Sequence, residues 1–217
     1  MRIQFLTSNN SWINLKKKDR VKKFLKQFTN RFSLINSHKE IKKKNDILII
    51  LSYFKIIPEK FLKISKHNIV VHESDLPNGK GFSPISWQIL EGKKNIVFTL
   101  FEASPKVDCG SYYQKEKFYF KQDMLFEEIK NKQLESSLSM VLKFIRKFKD
   151  KKKIKSFNQS GKSFYYKKRS RNSSKLDFKK SLFKQINLLR IVDNENYPAF
   201  FFYQKKKYLI KISKEKK

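Results

Sequence analysis

The sequence predicts an α/β fold: a Rossmann-like parallel sheet with flanking helices, followed by a small C-terminal α+β module. Apolar runs of strand length occur at 46–52, 68–71 and 95–101, with patterns of helical period between them. The run at 46–52 is continuously apolar, as expected for a strand covered on both faces. Strand, helix and strand at this spacing predict parallel pairing through right-handed crossovers.

The N-terminal part contains an amphipathic helix between two strands. The helix is predicted because Val21, Phe24, Leu25 and Phe28 recur at helical spacing. The predicted elements of this part are strands at 2–7, 31–36, 46–52 and 68–71, and helices at 16–28 and 58–64.

The next helix is predicted to follow Ser83 as its N-cap, with Pro84 at its first position, because both residue types favour helix starts. Near the C-terminus, two aromatic and aliphatic segments flank a lysine-rich turn at 205–207 and predict a hairpin. The predicted elements of this part are a strand at 95–101, one or two helices at 124–148, a helix at 176–189, and strands at 199–204 and 208–213.

The chain is predicted to divide into three segments. Residues 1–148 form the main α/β domain, 149–175 a basic linker and loop, and 176–217 a small module of one helix and a β-hairpin. The boundary rests on the run of Lys and Asp at 149–155, which is typical of a solvated linker. A chain of 217 residues is long enough for one such domain with an appendage.

The composition is strongly basic, with 51 Lys and Arg against 19 Asp and Glu and a net charge of +32. A hydrophobic content of 39% excludes a disordered basic tail. Such a charge is typical of nucleic-acid binding. Since most of the excess is Lys, accompanied by many Asn, Ile and Phe, a Lys-rich composition without a dedicated function is the favoured explanation.

The cellular location is predicted by what the sequence lacks. No apolar run approaches the roughly 18–20 residues that span a bilayer. The first residues indicate a strand and show no secretion signal, so cytoplasmic residence is the default expectation. The single cysteine, Cys109, excludes an intrachain disulfide and a Cys-based metal cluster, and no metal site is predicted.

A histidine and an aspartate follow two of the predicted strands. His72 comes directly after the strand at 68–71 and enters a Leu-Pro loop with Gly79 and Gly81. Asp108 lies in a second loop, which ends at Gly110. Ligands of parallel sheets bind at the carboxyl ends of the strands, where His72 emerges. An imidazole holds or gives a proton near neutral pH, and a carboxylate within reach orients it or accepts the proton.

The segment from His72 to Trp87, together with Val107-Asp-Cys-Gly110, resembles the active-site region of the 10-formyltetrahydrofolate-dependent formyltransferases. In that family the pattern runs Asn-x-His-x-Ser-Leu-Leu-Pro, then Gly, Pro and an aromatic residue, then Thr, then Asp-x-Gly. The resemblance covers most of 46–202 and is strongest over 68–110. It implies the formyltransferase fold, N10-formyltetrahydrofolate as co-substrate, and His72 and Asp108 as the catalytic residues.

One position departs from the family pattern. The family has an Asn two residues before the His, where its amide donates to the developing oxyanion, and this chain has Val70. Asn68 is about 13 Å from His72 along an extended strand and cannot replace it. Three explanations stay open: another donor serves (Ser74, Lys80 or a loop N–H), the oxyanion site is modified, or the enzyme is impaired.

Further site residues follow from the resemblance. The segment from Ser52 to Pro58 is similar to the Ala-Tyr-Gly-x-Ile-Leu-Pro segment that meets the pterin ring in the family. Ordinary packing at a strand end is the alternative for its two isoleucines. The residues predicted on this basis to bind the co-substrate are Tyr53, Lys55, Ile56, Ile57, Lys106 and Val107.

The C-terminal third favours one kind of amine acceptor. Its stretches at 165–169, 172–177 and 189–202 resemble the tail of nucleotide-sugar N-formyltransferases, including enzymes that act on pseudaminic-acid-type precursors. A nucleotide-linked amino sugar is therefore the predicted substrate. A methionyl-tRNA formyltransferase-like enzyme, or an impaired folate or nucleotide-sugar binder, is the alternative, and a homodimer is possible. The residues predicted to bind the acceptor are Ser74, Lys80, Gly81, Trp87 and Arg169.

Overall fold

The computed structural model describes residues 1–215. Its first four strands are β1 (Ile3–Leu6), β2 (Phe32–Ile35), β3 (Asn45–Ile50) and β4 (Ser65–His72). They pair in parallel in the spatial order β2-β1-β3-β4, as the sequence predicted. β4 begins three residues before the predicted strand and ends at His72, so the histidine lies at the carboxyl edge of the parallel strands.

The helix predicted at 16–28 is present as α2 (Lys18–Lys26), and a separate helix, α1 (Trp12–Lys16), precedes it. Ser11 caps α1, since its hydroxyl accepts a hydrogen bond from the Asn14 N–H. Lys17 separates the two helices, with φ −130°. A helix of five residues is too short to show a period, so α1 had no clear sequence signal. The short helix predicted at 58–64 is confirmed as α3 (Glu59–Leu62).

The middle of the chain contains β5 (Lys80–Gly81), α4 (Pro84–Leu90), β6 (Asn95–Glu102), β7 (Tyr112–Tyr119) and the long helix α5 (Phe126–Lys149). The strand predicted at 95–101 is present as β6, which runs antiparallel to β4, and β7 runs antiparallel to β6, so the sheet is parallel only from β1 to β4. The short loop and α4 leave the chain at the carboxyl edge of the sheet, so β6 starts there and runs back. β7 was missed because its sequence is largely polar, although its exposed and half-buried residues alternate.

The C-terminal part contains β8 (Tyr165–Tyr166), α6 (Leu182–Ile191), β9 (Ala199–Tyr203) and β10 (Lys206–Ile210). The predicted hairpin is confirmed, with Gln204 and Lys205 at its turn, both at positive φ. The helix starts later than predicted, because Leu176 donates its main-chain N–H to Phe200 and lies beside the hairpin. The division of the chain at 148 and 175 stays a prediction.

The core lies on both faces of the central sheet. Ile47 and Ile49 of β3 belong to the larger apolar cluster, which also includes residues of α2, α4 and α5. Leu48 and Ile50 point to a second cluster on the opposite face, beside α3. Two covered faces explain the continuous apolar run of β3. Among residues 1–215, no helix is long and apolar enough to cross a bilayer.

Candidate active site

A cavity of about 590 Å³ opens at the carboxyl edge of β3 and β4. One wall is the segment after β3, from Ser52 to Ile57, and His72 and Asp108 lie on the wall beside it. The opposite end reaches α1 and the first turns of α5. The two loops that the sequence singled out therefore meet at one cavity.

His72 is buried, with 7% of its surface exposed, and its ring is fixed by one strong contact. Its Nε2 lies 2.8 Å from the main-chain oxygen of Gly79. Because a carbonyl oxygen only accepts hydrogen bonds, Nε2 carries a proton and donates it. The second ring nitrogen, Nδ1, faces Asp108 at 3.8 Å from Oδ2. In the neutral imidazole, Nδ1 is thus the nitrogen that can accept a proton in the cavity.

Asp108 is held by its side chain and by its main chain. Its Oδ2 accepts a hydrogen bond of 2.8 Å from the Gly81 N–H. Its backbone has φ 51°, in the left-handed region that non-glycine residues seldom adopt. The Gln159 side chain donates to the main-chain oxygens of Asp108 and Gly110, at 3.0 and 2.8 Å. The surrounding contacts thus impose an uncommon conformation on the aspartate.

The segment 157–169 packs against the loop after His72 and the loop of Asp108, and we call it the strap. β8 lies in this segment and pairs with β5, the strand between Gly79 and Phe82. Tyr166 stacks on Trp87 with 6.0 Å between ring centroids, and Trp87 donates its indole N–H to the Lys167 oxygen. Burial, and hydrogen bonding to Glu91, raise the pKa of the Tyr166 hydroxyl above its usual value. The sequence predicted only a loop here.

Loss of the Gln159 amide should lower activity more than stability. Without its two hydrogen bonds the Asp108 loop relaxes, and a shift of about 1 Å at a reacting group can cost on the order of 10²-fold in rate. We expect Gln159→Leu to lower kcat for formyl transfer about 10²-fold or less, with little change in the KM of the co-substrate. Asn158→Ala, which removes only an exposed contact with Ser111, is the matched control. Equal kcat in both variants would refute a positioning role.

Most residues predicted to bind the co-substrate line the cavity, and Lys106 is the exception. Ile56 is 64% exposed and Val107 is 46% exposed, so both present apolar surface to the open space. Ile57 is buried in the second apolar cluster and lines the cavity with its remaining surface. Lys106 is exposed beside Val107, outside the lining. The lining residues of this set are Tyr53, Lys55, Ile56, Ile57 and Val107.

The residues predicted to bind the acceptor are less closely grouped. Gly81 lines the cavity, whereas Ser74 and Lys80 are buried behind it. The Lys80 ammonium donates to the Cys109 sulfur at 3.2 Å. Trp87 and Arg169 form a separate stack, with the guanidinium 5.6 Å from the ring centroid. Their roles in binding stay predictions.

Two sets of residues had no sequence signal, and only the second lines the cavity. His38 and His67 form the first set, and neither belongs to a motif in the sequence. Their ring nitrogens lie 2.8 Å from the Tyr53 hydroxyl and 3.2 Å from the Tyr113 hydroxyl, respectively. The second set lines the inner end of the cavity and consists of Trp12, Glu73, Lys130 and Gln133.

The α/β sheet and the paired histidine and aspartate at its edge define a transferase-type site of the kind that the sequence resembles. Comparison with known families agrees, since the sequence model described as formyl transferase matches residues 16–145. This match covers more than half of the chain. The protein belongs to the formyl transferase family.

The chain is similar to several individual proteins. The methionyl-tRNA formyltransferase of Sulfurihydrogenibium sp. (strain YO3AOP1) is 30% identical over 156 residues, which is 70% of this chain and 50% of that protein. The chain thus spans about half the length of this curated relative. A 4-N formyltransferase from Francisella tularensis superimposes with TM-score 0.69 at 16% identity, covering 99% of this chain and 98% of that one. HypX from Aquifex aeolicus in complex with tetrahydrofolic acid superimposes with TM-score 0.78 at 18% identity, covering 98% and 37%.

Proposed function

We propose that the protein is an N-formyltransferase that moves a formyl group from N10-formyltetrahydrofolate to the amine of a nucleotide-linked amino sugar. The observation that carries this proposal is the His72–Asp108 pair. Nδ1 of the neutral imidazole and the carboxylate are both acceptors, 3.8 Å apart, at the wall of an open cavity. Two hydrogen-bond acceptors this close together favour a donor that reaches both of them from the cavity, and an incoming amine supplies N–H groups.

The residues on the outer side of the cavity fit the co-substrate. A flat heteroaromatic ring needs exposed apolar walls, and Ile56 and Val107 supply them. Tyr53 and Lys55 add polar groups at the same wall. These side chains would hold N10-formyltetrahydrofolate, which supplies the formyl group to be transferred.

His72 and Asp108 would handle the proton of the reaction. As the acceptor nitrogen forms its bond to the formyl carbon, the amine loses a proton, which Nδ1 of His72 accepts. Asp108 stabilises the resulting imidazolium. When the bond between the formyl carbon and N10 breaks, the same proton passes from Nδ1 to N10. The hydrogen bond from Nε2 to Gly79 keeps the ring oriented in both protonation states.

The contacts and burial of the candidate oxyanion donors support one of them over the others. Val70 lines the cavity at the position where the family has Asn. Asn68 donates its amide to Leu62 and Glu102, and Ser74 and Lys80 are buried behind the cavity. Of the donors suggested by the sequence, main-chain N–H groups of the loop after His72 are the remaining choice. Loss of one oxyanion donor costs roughly 2.7–4 kcal/mol when nothing replaces it, so an impaired enzyme is the alternative.

The acceptor is the finer part of the proposal. The C-terminal stretches that resemble nucleotide-sugar N-formyltransferases support a nucleotide-linked amino sugar. The inner end of the cavity contains an aromatic ring, Trp12, and a cation, Lys130. A nucleotide has a base that can stack on a ring and phosphates that can pair with a cation. Methionyl-tRNA is the second candidate, favoured by the curated relative in sequence.

One assay tests both the formyl-transfer reaction and the identity of the amine acceptor. Purified protein is given N10-formyltetrahydrofolate and, in turn, UDP- and dTDP-linked amino sugars and methionyl-tRNA, and tetrahydrofolate release is followed. We expect release that requires one of the nucleotide-linked amino sugars. Release only with methionyl-tRNA would assign the second candidate. If no acceptor gives tetrahydrofolate release, although the protein still binds tetrahydrofolate, the catalytic proposal is overturned.

A further inference from the structure

Four side chains converge at the inner end of the cavity, away from the wall proposed for the folate. Trp12 is the first residue of α1, which follows the carboxyl end of β1. Glu73 follows His72 directly, and Lys130 and Gln133 lie on the first turns of α5. All four line the same cavity as His72. We call them the inner subsite.

The inner subsite is organised around Lys130. Its ammonium donates to the side-chain oxygen of Gln133 at 3.0 Å. It also lies over two rings, 5.0 Å from the centroid of Trp12 and 5.6 Å from that of Phe126. Gln133 in turn donates to a carboxylate oxygen of Glu73 at 2.6 Å. The ammonium therefore has a fixed position at the end of a chain of contacts that starts beside His72.

Lys130 is also incompletely neutralised. Among residues 1–215 it forms no salt bridge within 4.0 Å. Burial lowers the pKa of its ammonium, and the negative charges of Glu73, Glu127 and Asp193 act in the opposite direction from farther away. A half-buried cation with ring and amide contacts but no paired carboxylate retains capacity for an anion. An oxygen anion beside it would offset the desolvation of the charge.

We propose that Lys130 binds a phosphate of the amine acceptor, with the ring of Trp12 forming the adjoining wall. The inference rests on the proposed function, which requires an acceptor amine near His72 and gives that acceptor phosphates. A Lys ammonium binds phosphate as a point charge. The inner subsite shares no residue with the wall proposed for the folate, so we assign it to the acceptor. Phosphate groups are common to nucleotide-linked sugars and tRNA, so the experiment separates these sources.

The test compares Lys130→Met with wild type. A hydrogen bond to a charged group is lost, so we expect the KM of the phosphate-bearing acceptor to rise at least ~10-fold. The KM of N10-formyltetrahydrofolate should stay within about 2-fold, because the ammonium of Lys130 contacts Gln133, Trp12 and Phe126, and none of these is proposed to hold the folate. The same amino sugar without its nucleotide should show no difference between variant and wild type. Lys147→Met removes an exposed charge from the other end of α5 and is the matched control.

Direct binding separates this proposal from the proposed function. Titration calorimetry with UDP and dTDP should show weaker binding to Lys130→Met, by the same factor as the KM, whether or not formyl transfer is detected. An active variant with unchanged acceptor KM and unchanged UDP binding would overturn the phosphate site and leave the formyltransferase in place. A Lys130-dependent loss seen only with methionyl-tRNA would keep the phosphate site and assign tRNA as its source.

Two further variants distinguish the loss of the charge from misfolding. Lys130→Gln keeps a polar side chain beside Gln133 and should weaken the acceptor to a similar extent. Lys130→Arg keeps the charge and should recover part of the affinity. Loss of binding in all three variants, including Lys130→Arg, with unchanged urea unfolding, would show that shape and not charge matters, and would overturn the proposal.

Discussion

Replacement of His72 by Gln should lower kcat for formyl transfer about 10²–10⁴-fold, which is the usual contribution of a general acid–base group. A glutamine amide can still donate to the Gly79 oxygen, as Nε2 of the imidazole does. It has no group that accepts a proton near neutral pH, so the route for the amine proton is lost. The measurement is tetrahydrofolate release under saturating concentrations of both substrates. Unchanged kcat would remove His72 from the catalytic role.

Asp108→Asn should lower kcat by a similar factor, because the amide oxygen can still accept from the Gly81 N–H while the negative charge is lost. If the two residues act as a unit, the double variant should be little worse than either single one. Full additivity of the two effects would instead indicate independent roles.

His67→Gln is the matched control for these variants. His67 also belongs to β4, but its ring contacts the Tyr113 hydroxyl and packs against Phe144, away from the cavity. We expect this variant to keep kcat and to lose some stability, as measured by urea unfolding. A kcat loss as large as that of His72→Gln would mean that any change in β4 disturbs the site.

The sequence was sufficient to predict that His72 and Asp108 belong to one site. His72 follows an apolar strand, and Asp108 follows another in a loop that ends with glycine. The rule that ligands lie at the carboxyl ends of parallel strands placed the first, and the family resemblance placed the second. The structure puts their polar atoms 3.8 Å apart.

Strand direction could not be predicted from the same patterns. A period of two, or a continuous apolar run, describes which faces of a strand are covered and says nothing about which way it runs. The directions of β6 and β7 depend on where the chain emerges after α4, which is a property of the tertiary fold. For this reason the sequence predicted a strand at 95–101 but not its antiparallel direction.

Local sequence patterns could not predict the contacts of the inner subsite and the strap, for another reason. Gln133 contacts Glu73 across 60 positions, and Gln159 contacts Asp108 across 51. Neither glutamine belongs to a motif, and both lie in segments whose sequence pattern is accounted for by a helix face or a loop. Contacts of this kind become visible only when the helix and the loop are placed against the sheet.

Gly110→Ala should have the largest effect on stability among the changes near the site. The Gly110 Cα lies so close to the main-chain oxygen of Glu102 that a Cβ would overlap it. No side-chain rotation relieves a clash with backbone, so the loop must move away from β6. Overpacking costs typically 1–3 kcal/mol where side chains can adjust, and here we expect roughly 3 kcal/mol or more of the free energy of unfolding to be lost.

The same change should also remove activity, because Gly110 and Asp108 belong to one loop that Gln159 holds through both of their carbonyl oxygens. Moving the loop by about 1 Å is enough for a kcat loss on the order of 10²-fold. Gly92→Ala is the control, since its φ of 79° costs about 1–2 kcal/mol for a residue with a side chain while open space surrounds it. We expect urea unfolding to show a loss in both variants and tetrahydrofolate release to fall only in Gly110→Ala. Stability and kcat of Gly110→Ala that match those of Gly92→Ala would mean that β6 does not fix the position of Asp108.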